Sequence, residues 1–224
     1  MSRKTNNPEP FVIKDCSLLT IGTGVAVQNL KEMRDSLVTI HPGSIYHHFW
    51  GALMRQRFDE QEYNNDFAGW IHHALGENVL AERLAVINPI DFDLESLRQH
   101  LIDLIEQRMD EINWPGWAPP DSAFRFIRSQ IIVFDTRRRI SRPDEFAEVI
   151  PHLSSGSIFY HFIDARRRND LGQDDFRVWT AKFGESHEPV LNQLLLIDPY
   201  FNTFTELREK LAETFKNCYR RSAG

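Results

Sequence analysis

The chain is poor in cysteine and has no long apolar run. Its two cysteines, Cys16 and Cys218, stand near opposite ends of 224 residues, which excludes a disulfide framework or a zinc ribbon. No apolar stretch approaches the roughly 18 residues a membrane helix needs, so no membrane is expected as a partner. The opening residues, MSRKTNNPEPF, contain no apolar leader core, and the expected setting is a reducing cytoplasm. An excess of basic charge is also missing. The chain carries 26 Lys+Arg against 32 Asp+Glu, a net −6, and no nucleic-acid motif, so nucleic acid is not an expected partner. Catalytic signatures are absent too: there is no G-x-S-x-G elbow and no placeable Cys–His pair. Gly22-Thr23-Gly24 is only G-x-G and falls short of a dinucleotide fingerprint. Arg34 and His41 have a spacing used by some helical ribonucleases, but Pro42 follows at once and the pair is discounted. No cofactor is expected.

What the sequence does contain is itself, twice. Gly43-Ser44-Ile45-Tyr46-His47-His48-Phe49 matches Gly156-Ser157-Ile158-Phe159-Tyr160-His161-Phe162. At the same offset Phe11 meets Phe124, Thr23 meets Thr136 and Arg55 meets Arg168. After a short deletion, Asp66-Phe67-x-x-Trp70 meets Asp175-Phe176-x-x-Trp179, and later Leu97-Arg98 meets Leu207-Arg208. The order never breaks, as a duplication requires. The reading is two repeat units, 11–112 and 124–220, joined by a Pro- and Trp-containing linker, 113–123, and expected to fuse into one globule.

Each unit opens with a β-like stretch, 11–21 or 124–134, rich in Ile, Val, Leu and Phe. An amphipathic helix follows at 30–40, with Leu30, Met33, Leu37 and Ile40 at helical spacing. The Gly-Ser-Ile motif starts a second helix, with Ser44 and Ser157 as expected N-caps. Further helices are read at 66–75 and about 79–87. The last helix carries the apolar stripe Leu94, Leu97, Leu101, Leu104, Ile105 and Met109, and its counterpart carries Phe204, Leu207, Leu211, Phe215 and Cys218. The expected fold class is therefore α+β and helix-rich. Two tandem strand-plus-helices units are related by a pseudo-twofold, with a small antiparallel sheet.

The candidate site residues each have two readings. His48 and His161 are acid/base groups if the protein is an enzyme, or buried histidines bonded to backbone. On the second reading, His48→Ala and His161→Ala each lower stability by roughly 1–3 kcal/mol. Arg55 and Arg168 either pair with Asp66 and Asp175 or bind an anion. The runs Arg137-Arg138-Arg139 and Arg166-Arg167-Arg168 are solvated faces or an anion pocket. Asn64 or Asn65 caps the 66–75 helix, or the two amides serve a sugar beside the rings of Tyr46, Trp50, Tyr63 and Trp70. Six of the nine histidines, His41, His47, His48, His72, His73 and His100, lie in the first half with Glu62, Asp59 and Asp66 between them, and a metal site among them is set aside. There is no H-x-x-x-H, neighbouring helical histidines diverge, and the positions matching His72 and His73 are Ala181 and Lys182.

The segments Lys14–Leu19, His41–Trp50, Glu62–Phe67 and Gly156–Arg168 resemble those of a prokaryotic domain-of-unknown-function family. The resemblance implies a soluble bacterial or archaeal protein and brings no activity, cofactor or catalytic residue. The leading expectation is a non-catalytic accessory or regulatory module that binds a small polar or anionic ligand or a protein partner. Its ligand set is Tyr46, His48, Arg55, Asn64, Asn65, Trp70, His161, Arg166 and Arg168. The alternatives are an enzyme on a phosphorylated or sugar-like substrate, with His48 or His161 as acid/base and arginines as anion clamp, and a structural scaffold.

Overall fold

The computed structural model describes residues 8–54, 62–112, 118–119, 122–169, 171–199 and 202–221. Two strands, β1 (Phe11–Val27) and β2 (Phe124–Ile140), form one two-stranded sheet. Thr136 Oγ1 donates to the Ile13 carbonyl and Thr23 Oγ1 to that of Phe126. These pairings run in opposite directions along the strands, so the sheet is antiparallel. The rest is helical, as the apolar periodicity predicts. Most of the linker expected at 113–123, with Trp114 and Trp117, lies outside the described residues.

The chain divides into two compact units that do not follow the sequence repeats. The first is Leu18–Ile131, and the second joins Met1–Ser17 to Ile132–Gly224. Each strand therefore passes from one unit to the other. The strands also run six residues beyond the apolar stretches at 11–21 and 124–134, because ladder hydrogen bonding continues through the glycines of β1 and the charged residues of β2.

In the first unit, α1 (Leu30–Thr39), α2 (Pro42–Trp50), α3 (Asp66–Leu75), α4 (Asn78–Ala85) and α5 (Leu94–Glu111) surround a dry core. Met33, Leu37, Ile45, Phe67, Leu84 and Leu101 are fully buried in it. The α5 stripe holds at Leu97, Leu101 and Ile105, but it also takes in Arg98. That guanidinium donates to the Leu37 carbonyl at 2.7 Å and so satisfies an orphan acceptor at the end of α1.

In the second unit, α6 (Phe146–Val149) is short. Then α7 (Ser155–Ile158) continues through a π-helical stretch, Phe159–Asp164, into α8 (Ala165–Arg168). Helices α9 (Asp175–Thr180), α10 (Glu188–Leu195) and α11 (Phe204–Arg221) complete it. Phe11 of β1 lies against Phe146, Phe176 and Trp179 with ring centroids 5.1–5.6 Å apart.

The caps differ from the serines expected. α2 starts earlier, at Pro42, with His41 as N-cap accepting the Gly43 amide. α7 is capped by Ser154, which accepts the Ser157 amide at 2.9 Å. Proline at the first helical position favours the earlier start, since its missing N–H has no helical partner there.

Gly24 has φ +78° and Arg137 has φ +62°. Both follow a threonine whose hydroxyl accepts the next-but-one amide, from Val25 and from Arg138. Gly22-Thr23-Gly24 is therefore a strand irregularity that needs left-handed backbone, a conformation glycine adopts without strain. Arg137 bears the strain that Gly24 avoids. Arg137→Gly is expected to stabilise the protein by about 0.5–1 kcal/mol, the left-handed penalty less the extra entropy of glycine. Urea unfolding checks it, and a variant no more stable than the parent refutes it.

Candidate functional site

The two histidines shared by the repeats sit in matching surroundings. His48, on α2, is buried. Its Nδ1 lies 2.9 Å from Asp66 Oδ2, and its Nε2 accepts the Ile127 amide at 3.2 Å. His161, in the π-helical stretch, is also buried. Its Nδ1 lies 2.7 Å from Asp175 Oδ2, and its Nε2 accepts the Lys14 amide at 2.9 Å. A backbone N–H can only donate, so each Nε2 must present its lone pair. The ring is then neutral and its proton sits on Nδ1, donated to the aspartate. Each ring ties a strand to two helices and satisfies a strand amide that would otherwise be an orphan. The backbone partner is an amide rather than a carbonyl, and the carboxylate takes the other nitrogen.

An arginine joins the second clamp. Arg168 Nη2 adds a bond to Asp175 at 3.0 Å, and the same side chain reaches Asp164 at 2.9 Å and the Tyr160 carbonyl at 2.8 Å. Its guanidinium also lies 4.0 Å over the Tyr160 ring. Burial pushes the His161 pKa down, and this outweighs the upward pull of Asp175. Burial pushes Asp175 up, but the bonds from His161 and Arg168 prevail and hold it below the usual carboxylate range. Arg55, the first-half counterpart of Arg168, lies outside the described residues.

The remaining candidates are held by their own units. Arg166 Nε donates to the Phe162 carbonyl, and the guanidinium covers the Phe162 ring at 4.5 Å. Arg167 reaches buried Asp164 at 3.2 Å. In the other run, Arg139 pairs with Asp135 at 2.7 Å. Asn65 caps α3 through the Ala68 amide and donates to the Leu84 carbonyl. Asn64 accepts from Asn65 and reaches the Ile87 carbonyl at 3.5 Å. Tyr46 stacks on Trp50 at 5.3 Å, both buried. Trp70 Nε1 donates to the Ser122 carbonyl at 2.7 Å. A groove of about 390 Å³ lies between the end of β1 and α1, lined in part by Val25, Val27, Glu32 and Asp35. Its carboxylates make it a poor receptor for an anion.

Sequence reasoning missed two buried acids. Asp164 anchors Arg167 and Arg168. Asp174 caps α9 through the Arg177 amide, and burial raises its pKa to about 6. Asp174 follows the pattern of an N-cap before a helix, which the sequence does display. Asp164 lies in an apolar run, and nothing local marks it as buried.

Exposure gives a different kind of feature. Ile132, Val133 and Phe134 on β2 are 41%, 41% and 48% exposed. Successive strand side chains point to opposite faces, so three exposed residues in a row leave both faces of β2 open here.

No curated protein matches the sequence. Among solved structures, OrfY from Thermoproteus tenax is similar in fold, with a TM-score of 0.77 and 26% identity over 93% of this chain and 95% of that one. The model of a family of unknown function, DUF5752, matches residues 8–216, and the chain belongs to that family.

Proposed function

We propose that this chain is a non-catalytic accessory or regulatory protein built from two fused copies of one unit, and that it acts by binding a protein partner. Three features support common descent of the units: the two His–Asp–amide clamps with the same atoms, the caps at His41 and Ser154, and the left-handed positions Gly24 and Arg137. The role rests on one observation, the exposed Ile132-Val133-Phe134 run on β2. A two-stranded ribbon is marginal in water without cover, and an apolar, uncovered strand is a template for an incoming chain. The histidine and arginine candidates bear on the rival reading. An acid/base catalyst needs a ring nitrogen that can exchange a proton with substrate, whereas both nitrogens of His48 and His161 are engaged inside the protein. A sugar or phosphate site built on Asn64, Asn65, Arg166 and Arg168 would have to break bonds those side chains already make.

A photoreactive side chain at position 133 is expected to trap one dominant protein adduct in the producing cell. Phe134→Lys should abolish that adduct with Tm unchanged, because the ring contributes little to the core. An adduct that survives Phe134→Lys, or no adduct at all, refutes the role.

A further inference from the structure

The three surface side chains Glu62, His72 and His73 converge. Glu62 Oε2 lies 3.5 Å from His73 Nε2, and Glu62 Oε1 lies 4.0 Å from His72 Nε2. One ligand atom from each side chain lies within 4.8 Å of the other two. Successive side chains on a helix diverge by about 100°, which argued against this pair as ligands. Here, at the last turn of α3, the two rings approach to 4.7 Å. The helix stops one residue beyond Leu75, where Gly76 takes a left-handed φ of +66°, and both Nε2 atoms reach the same carboxylate.

We propose that Glu62, His72 and His73 bind one divalent cation of the zinc class. Two imidazole nitrogens and a carboxylate oxygen form a ligand set that zinc accepts, at about 2.0–2.2 Å from each. In a tetrahedral site of that size, ligand atoms stand about 3.3 Å apart. The observed separations therefore need only a small closing movement. Glu62 and His73 supply it, since their side chains are 62% and 64% exposed and free to rotate. Three protein ligands leave a fourth position for water or for a side chain of another molecule. The ion would staple residue 62 to the last turn of α3.

Two comparisons within the chain sharpen this assignment. The other histidine–carboxylate group, His47, His48 and Asp66, has its nitrogens occupied: His47 Nδ1 lies 2.7 Å from Ser129 Oγ, and His48 uses both ring atoms. The positions that match Glu62, His72 and His73 in the second repeat are Leu171, Ala181 and Lys182, none of them a zinc ligand at neutral pH. The ion should therefore bind once per chain. Metal-bound histidines are usually braced by a bond from the other ring nitrogen. His72 Nδ1 is buried with no hydrogen-bond partner, so the expected affinity is micromolar rather than that of a braced structural site.

Isothermal titration of the untagged chain with zinc chloride tests this. One ion should bind per chain, and cobalt in its place should give a visible d–d spectrum. His73→Ala and Glu62→Gln should each weaken binding at least tenfold, with an unchanged circular dichroism spectrum and Tm. No zinc uptake by the parent chain overturns the site. So does uptake that both variants retain.

Discussion

Gly156→Ala is expected to destabilise the second unit by about 3 kcal/mol or more, beyond the usual range for a single added methyl in a packed interior. A Cβ at this position would collide with the Cys16 carbonyl oxygen and with Asp15 Oδ1. The carbonyl belongs to the β1 backbone, so no side-chain rotation can clear it. Relief requires β1 to move off α7. That movement would break the Cys16 Sγ bond to the Gly156 carbonyl and pull the Lys14 amide from His161. Gly43 occupies the matching position, where a Cβ would meet the Ser129 carbonyl oxygen at 2.9 Å. Gly43→Ala should therefore cost less, about 1–2 kcal/mol. In calorimetry, the Gly156 variant should lose roughly 10 °C of Tm and the Gly43 variant clearly less. Equal small shifts would show that the strand yields without loss.

His161→Ala should cost about 3 kcal/mol at pH 7.5, the upper end of the range expected from sequence. It removes a buried ring, leaves the Lys14 amide short of a partner and leaves Asp175 Oδ2 with Arg168 alone. The cost depends on pH with a definite sign. The folded pKa of His161 lies below its ordinary value of 6.5, so below that value the unfolded chain takes up a proton that the folded chain refuses. The stability His161 contributes is complete above pH 6.5 and is lost as pH falls through the folded pKa. Asp175 acts in the same direction further down, since its folded pKa lies below 3.8. Asp174 opposes both. Its folded pKa is raised to about 6, so it favours folding at low pH and loses that contribution as pH rises through about 6. Whole-protein pH curves therefore mix opposite trends. The difference between parent and His161→Ala isolates the histidine. The gap in unfolding free energy should be widest at pH 7.5 and should narrow toward pH 5. A gap that widens toward pH 5 would mean that the folded state holds the ring protonated, against the donated Lys14 amide, and a gap independent of pH would mean that burial leaves the ring's pKa where it is in the unfolded chain.

The candidate residues were legible in sequence to different degrees. The sequence places α3 at 66–75 with Asn64 or Asn65 as its cap; the structure selects Asn65 and adds the left-handed Gly76 at the other end. Asp66 and Asp175 were flagged as arginine partners. The structure adds that a histidine shares each of them, a relation set by packing between α2 and α3 or between the π-helical stretch and α9. The convergence of His72 and His73 on Glu62 was invisible to helical-wheel reasoning, because the wheel does not show where Glu62, four residues ahead of α3, folds back against the helix. The compact units were equally hidden. The units read from sequence, 11–112 and 124–220, follow internal similarity of motifs, whereas the compact units divide β1 after its first seven residues and β2 after its first eight.

The sequence alone determined the helix-rich α+β class, the core stripe of α1 and its part in α5 at Leu97, Leu101 and Ile105, and the likeness of motifs such as Gly43–Phe49 and Gly156–Phe162, because these depend on local periodicity and composition. Only the tertiary structure decided which helices each strand half joins, and why a glycine must stand at position 156. It likewise decided that His48 and His161 spend both ring nitrogens internally, since these depend on atoms more than 70 residues apart in the chain, such as His48 and Ile127.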